Sequence, residues 1–244
     1  MISRVSVSMV AAIAVVAAAC SSSPTTTPGS SVASAAASAS AAASASAAAS
    51  ANASQVPLLN GQESLTGGRY QVDPILPMTV TVAVPNGWGA GEKWVVIGPK
   101  GNDEPDGMAV RFYQASNLFV HPLSQADGVL RPPVGPSVDD LVNAMVDHPD
   151  WTTTGHTAIT IDGYAGQVVH VTLPEGTSDA TPFYLFSDAT EGQEWGWAAG
   201  QLFDIYVVDV GGERLVIDAF HYAGTTAEDL AAQSAVINSI QLTP

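Results

Sequence analysis

Positive charge is scarce in this sequence: 244 residues hold seven Lys and Arg against 23 Asp and Glu, a formal net charge of −16. A surface that acidic repels phosphate backbones, which argues against nucleic acid as a partner, and gains no electrostatic attraction to an anionic membrane. Cysteine is scarcer still, because the lone thiol of Cys20 has no partner for an intramolecular disulfide or a cysteine metal set. No apolar run reaches the roughly 20 residues that a membrane-spanning helix needs. Chemical signatures are missing as well. There is no Gly-x-Ser-x-Gly elbow, no His-Glu-x-x-His pair, and no Walker order of glycines, lysine and hydroxyl in "GAGEKW". No cofactor loop is therefore expected.

What is present begins with an export signal. Residues 1–19 carry one basic residue, Arg4, then an apolar run from Val5 to Ala19 broken only by Ser6 and Ser8, ending in small residues. Cys20 follows at the boundary with a polar tract, and here the chain resembles bacterial lipoproteins, whose signals end in small residues before a lipid-modified cysteine. The lipoprotein pattern usually has leucine three residues before the cysteine; this chain has Ala17. The resemblance implies a diacylglycerol thioether on Cys20, palmitate-type acylation, and cleavage just before it. The alternative is an ordinary secretory signal cut near Ala19. Loss of Arg4 leaves six basic against 23 acidic residues, a balance of −17. The lipid would then have to hold the chain at the outer face of the cell membrane, and more than one acyl chain is needed for stable anchoring.

Residues 20–65 form a Ser-, Ala-, Thr- and Pro-rich stretch with no apolar stripe to bury, which reads as a disordered tether, an alanine helix being the alternative. About thirty such residues reach roughly 30 Å as a flexible coil. Its hydroxyls could also carry sugars, as mucin-like stalks do.

Residues 66–244 are read as one globular domain. "MTVTVAVP" alternates Met78, Val80, Val82 and Val84 against smaller or polar residues, and "MAVRFYQ" places Met108, Val110 and Phe112 on one face with Arg111 between them. Asp162-Gly163 and Gly211-Gly212, each between alternating runs, predict two tight hairpins. Val138, Leu141, Val142, Met145 and Val146 fall on one helical face, capped by Ser137 and ended by Pro149. A second helix starts at Thr226, with Leu230, Ser234 and Ile237 as its expected inner stripe. Hairpins with two separate helices predict an α+β domain, an antiparallel sheet of about six to eight strands flanked by two main helices.

At "GRYQV", "VAVPNGW", "RPPVGPSVDDLVNAMVDHPDW", "IDGYAGQVVHVTLP" and "VVDVGGERLVIDAFHYAGTT", the chain resembles a group of actinobacterial exported proteins and lipoproteins. It is also similar in pattern to the Mog1/PsbP-like fold, which occurs in lipid-anchored mycobacterial envelope proteins. The resemblance implies binding or scaffolding and supplies no active site to map. Members of the group often carry a cysteine pair in the stretches matching "NLFVHPLSQADG" and the region near "LFSDATEGQ"; both lack cysteine here.

Candidate chemistry is sparse. His121, His148, His156, His170 and His221 show no zinc spacing, although His170 and His221 fall in predicted strands and could meet as ligands; hydrogen-bonded structural roles are the other reading. "KGNDEPDG" offers oxygens for calcium or an acidic surface turn. Trp195 and Trp197, two apart around Gly196, could form an aromatic platform for an envelope protein or glycan, or pack as core. Trp88 and Trp151 read as structural. The favoured reading is a lipid-anchored extracytoplasmic binding domain of the cell envelope. A carboxylate hydrolase and a small-ligand carrier, with a cavity between sheet and helix, are the alternatives. Replacing Cys20 tests the anchor: Cys20→Ala is expected to move the exported protein from the membrane fraction to the soluble one and to remove the lipid mass from the mature N-terminus.

Overall fold

In the computed structural model, which describes residues 56–72, 77–91, 94–173, 177, 183–188 and 194–244, the alternating segments form strands. Cys20 and the signal segment lie outside the described residues. In chain order the elements begin with β1 (Gly68–Gln71), β2 (Thr79–Val84), β3 (Gly89–Ala90), β4 (Val95–Ile97), β5 (Met108–Tyr113) and β6 (Asn117–Leu118). Helix α1 (Val138–Val146) precedes β7 (Thr152–Ile161), β8 (Tyr164–Thr172), β9 (Phe183–Ser187) and β10 (Glu194–Trp197). The chain ends with β11 (Leu202–Val210), β12 (Glu213–His221), α2 (Ala227–Asn238) and β13 (Gln241–Thr243).

A seven-stranded antiparallel sheet, ordered β3-β4-β5-β12-β11-β8-β7, is the centre of this α+β fold. Both predicted hairpins close it. Asp162 at φ 49° and Gly163 at φ 84° turn β7 into β8, and Gly211 and Gly212, at 66° and 93°, turn β11 into β12. Successive positive φ values match the twist of the flanking strands, which is why Asp-Gly and Gly-Gly stand there.

Both faces of the sheet are covered. On the first, Val110, Phe112, Leu215 and Ile217 pack against Val80 and Val82 of the small sheet β1-β2-β13 and against Val236 and Ile237 of α2. On the second, Val169, Ile205, Val207 and Val216 pack against Leu141, Val142 and Met145 of α1 and against Phe183, Leu185 and Phe186 of β9. Every residue of β5 is consequently buried, Arg111 included.

Helix α1 follows its sequence pattern: Ser137 and Asp140 form a reciprocal capping box, and the expected residues face inward. In α2 the inner stripe differs from expectation. Gln233, Val236 and Ile237 are buried, whereas Leu230 is half-exposed and Ser234 faces solvent, its hydroxyl donating to the Leu230 carbonyl at 2.9 Å. An alanine-rich helix has few large residues to set its rotation. Here the Gln233 amide donates to the carbonyls of Ala109 (3.1 Å) and Phe220 (2.8 Å), tying α2 to β5 and β12.

Packing also begins upstream of the Thr66 boundary read from composition. Leu59 is fully buried, its amide donates to Gln71 O at 2.9 Å, and Leu65 donates to Trp88 O at 2.6 Å. Two apolar side chains among polar neighbours gave little periodic signal, but each fills the first core.

The most demanding feature is an ion pair inside the sheet. Arg111 stands opposite Asp218 across β5 and β12, with Nη2 donating to Oδ2 at 2.7 Å, and Asp218 has no exposed surface. The Tyr113 hydroxyl donates to the same oxygen at 3.3 Å, and burial beside this carboxylate pushes its pKa well above the ordinary phenol value. Removing one member of such a pair leaves a buried, uncompensated charge, which costs about 3–5 kcal/mol, while an apolar replacement of both can be neutral or better. Arg111→Met alone is therefore expected to lower the urea-unfolding free energy of the protein by about 3–5 kcal/mol, and Arg111→Met with Asp218→Leu to recover most of that loss. Equal stability of the single variant and the wild type would refute this account.

A half-open cleft as the candidate functional site

The second face of the sheet is not covered along its whole width. Helix α1 lies over β7, β8 and β11, and the small sheet β10-β9-β6 extends the cover. Beyond it, β4, β5 and β12 form the floor of an open cleft of about 760 Å³. Val95 and Ile97 come from β4, Ala109 and Arg111 from β5, and Phe220 from β12, all on one face by strand alternation. Trp94 and Tyr222, at strand ends, add aromatic wall.

Arg111 is the charged group of this floor. Its side chain retains 11% of its exposure, its guanidinium lies 4.8 Å from the Phe220 ring centroid and 5.9 Å from that of Phe203, and Asp218 neutralises it from beneath. Such a guanidinium is pre-positioned: its orientation is set by an ion pair and two aromatic rings before any ligand arrives.

One wall is the acidic turn between β4 and β5, where Asn102, Asp103 and Glu104 line the cleft. It is held firmly. Lys100 bridges Asp106 (3.1 Å) and Asp229 (2.9 Å), the latter also accepting from the Thr226 hydroxyl at the start of α2. The bridge raises the pKa of the exposed Lys100 and, with Thr226, lowers that of Asp229. Gly107 N–H donates to Asp103 O at 2.9 Å, and a Cβ at Gly107 would collide with the backbone of residues 102 and 103. Gly224 N–H donates to Pro105 O at 3.0 Å, with no room there for a Cβ either. A second wall is the chain leaving β10: Ala198, Ala199 and Gln201, braced by Ala198 N–H donating to Gln201 Oε1 at 3.0 Å, with Gly200 lying against the Glu104 carboxylate of the acidic turn.

The tryptophans singled out in the sequence meet this site unequally. Trp195 and Trp197 lie on β10, immediately upstream of the Ala198–Gln201 wall, and their side chains lie outside the described residues. Trp88 is core, and Trp151 is buried, donating from Nε1 to Met145 O at 2.8 Å. Trp94 was not singled out in the sequence, nor was the pairing of Arg111 with Asp218. A signal for the pair existed: "AVRFY" and "VIDAF" each hold one charge, of opposite sign, inside an otherwise apolar strand.

The histidines do not assemble into one group. His170 pairs with Asp204 across β8 and β11, His121 with Asp150 at 2.9 Å, and His156 with Gln167. Among the described residues no three His, Cys, Asp or Glu side chains come together as a metal-ligand set. His148 is buried, stacked on Trp151 at 3.6 Å between centroids. Its Nδ1 accepts from Asp150 N–H at 3.2 Å, so Nε2–H donates to Phe119 O at 2.9 Å and the ring is neutral.

No protein-family model and no curated protein matches the chain. Among solved structures it is similar to LpqN, described as involved in cell envelope biogenesis of Mycobacterium tuberculosis. Identity is 11%, over 72% of this chain and 91% of that one, with a TM-score of 0.39, too distant to transfer residue roles.

Burial depresses the pKa values of His148 and His221, whereas the carboxylate of Asp150 raises that of the exposed His121. For the two depressed groups the unfolded chain binds more protons below about pH 6.5, so their contribution is complete above that pH and is lost as pH falls through their folded values. His121 has the opposite sign. The melting temperature is therefore expected to fall between pH 7.5 and about 5.5; His148→Gln should flatten the fall and His121→Gln should steepen it. Thermal scans at a series of pH values check both signs.

Proposed function

We propose that this chain is a non-catalytic binding domain of the cell envelope, held to the membrane by a lipid on Cys20 and carried on its Ser/Ala-rich tether, which takes a ligand in the cleft above Arg111. The carrying observation is the cleft itself: a concave site on rigid strands, with aromatic walls and a few fixed polar groups, has the form of a small-molecule site. A mixed aromatic and polar lining suits recognition of a ligand with both kinds of surface.

Binding is favoured over hydrolysis by what lines the site. Its described lining residues include no Ser, Thr, Cys, His or Lys, so a hydroxyl, thiol or amine nucleophile and a histidine base would have to come from elsewhere. The two carboxylates at the mouth, Asp103 and Glu104, are sequence neighbours on one exposed turn. The usual carboxylate mechanism instead places two groups on opposite sides of the scissile bond. The cavity of the carrier alternative was expected between sheet and helix; this one lies instead beside the small second-face sheet, over bare strands. Among the described residues no helix is long and apolar enough to cross a membrane.

Ala199 gives a test, because it is half-buried in the wall and its replacement fills the cleft while the Arg111 and Asp218 residues themselves are unchanged. Native mass spectrometry of the protein purified gently from envelopes should show a bound small molecule on the wild type and none on Ala199→Trp, with the two unfolding at the same temperature within about 2 °C, as expected for a substitution worth under about 0.5 kcal/mol. A ligand retained equally by both would place binding elsewhere.

A further inference from the structure

The seven-stranded sheet ends on one side in β3, of two residues, and on the other in β7, of ten. Among the described residues β7 pairs with β8 alone, and every residue of it except Ile161 is exposed or half-exposed. Its outer edge carries unused backbone groups. Residues of an antiparallel ladder alternate between bonding to the neighbouring strand and pointing away from it, and Ile161 and Tyr164, flanking the two-residue turn, close this ladder as a bonded pair. His156, Ala158 and Thr160 therefore direct both N–H and C=O away from β8.

Soluble domains usually blunt such an edge with lysine, another charge or proline. β7, "TTTGHTAITI", holds no Asp, Glu, Lys, Arg or Pro. It has two stops instead. The register shift between Thr153 and His156, with Gly155 at φ 84°, interrupts pairing at one end, and the Asp162-Gly163 turn ends it at the other. A regular, uncharged segment from His156 to Ile161 is left between them.

We propose that this edge is the interface of a weak, reversible homodimer, in which β7 pairs antiparallel with β7 of a second copy about a two-fold axis at Ala158. The occupant follows from the self-complementarity of the segment. With the axis at Ala158, His156 of each copy faces Thr160 of the other and Ala158 faces itself, so the outward groups of both strands are all used, in about six hydrogen bonds. A shift of two residues either way brings the bulge or the turn into the ladder and loses some of them. Between the bonded pairs, Thr157 stands beside Ile159 of the second copy on the first face. Its methyl there covers the flank of a side chain that already lines a groove of about 370 Å³ with Tyr206 and Ile237. On the second face the His156 ring is engaged by Gln167 of β8, whose amide donates to Asp139 of α1.

Net charge sets how this pairing responds to salt. Two chains of −16 repel each other, and β7 brings no carboxylate or ammonium to the seam, so added salt removes repulsion without weakening any ion pair there. The dimer tightens as salt rises, the reverse of an interface built on charge pairs. One strand pair is a small interface, which places the association in the weak class.

The test uses the purified full chain carrying Cys20→Ala, so that neither lipid nor a second thiol enters the readout. Sedimentation equilibrium up to about 0.5 mM protein is expected to show monomer and dimer, with Kd falling about threefold or more between about 50 and about 500 mM salt. Ala158→Lys and Ala158→Glu each set like charges against one another at the axis and are expected to weaken the dimer about fivefold or more. Their equimolar mixture is expected to recover the parent Kd, which also shows that both variants are folded. Ala158→Cys is expected to cross-link on mild oxidation, since a bonded pair brings the Cα atoms to about 5.5 Å; Thr160→Cys, roughly 14 Å from its own counterpart, is not. A chain that stays monomeric throughout overturns the proposal and leaves the edge to a strand of a different protein. A dimer indifferent to both charged variants, or one cross-linked equally by Thr160→Cys, overturns it in favour of another surface or register. None of these outcomes bears on the cleft.

Discussion

The Arg111–Asp218 pair is the constraint around which the domain is organised. Two opposite charges in adjacent central strands can be buried only if those strands keep one register, since a slip of one residue would turn each side chain to the other face. The pair thereby selects the pairing of β5 with β12, and through the Gly211-Gly212 turn the placement of β11, on which β8 and β7 are built in turn. It also needs shielding, which Tyr113, Phe203 and Phe220 supply from the same face. A core of hydrocarbon would be as stable without it. What the charges add is a guanidinium aimed at an opening, in a fixed direction.

The rest of the molecule reinforces the frame around that opening. On the first face, Asp162 of the β7–β8 turn accepts from Leu242 N–H of β13 at 2.7 Å, and Arg69 donates to Ser239 O at 3.0 Å, so the C-terminal strand is sewn to the middle of the domain and the N-terminal part to the end of α2. On the second, Arg214 donates to the carbonyls of Ala115, Gly135 and Ser137, fixing the approach to α1. Burial lowers the pKa of this guanidinium, which as an arginine keeps its charge. On the same face β6 and β9 are joined by strand pairing, Asn117 opposite Ser187 and Leu118 opposite Phe186.

Much of this frame was legible in the sequence because it depends on local rules. Asp162-Gly163 and Gly211-Gly212 announce hairpins through backbone conformations that few other residues adopt, and α1 carries its cap and its apolar stripe within eleven residues. The α+β class followed from those elements. Neither the cleft nor the rotation of α2 was legible, for three separate physical reasons. Arg111, on the face opposite Met108, Val110 and Phe112, gives no sign on its own that the opposite face is also covered, because that cover comes from β6, β9 and α1, distant in sequence. The acidic turn was read as a surface loop, which it is; its role as a wall depends on contacts with Gly200 and Gly224, about a hundred residues on. In α2, rotation was set by the Gln233 amide finding two strand carbonyls, and no periodicity of apolar residues encodes that.

The same geometry bears on how a strongly acidic domain could use the proposed cleft. Long-range attraction of anions is unavailable, since a formal balance of −16 opposes them, so recognition in the cleft would be short-range and pre-organised. A surface lysine could not do this: its flexible stem would lose entropy on binding, and its charge would be screened by water. Arg111 avoids both losses, because the folding reaction has already immobilised it between Asp218 and Phe220 and stripped most of its water. The energy that orders the binding group is thus part of the stability of the sheet. Any change that loosens the second-face cover, even in β9 or α1, should weaken the cleft before it unfolds the domain, because the position of Arg111 depends on packing that those elements maintain.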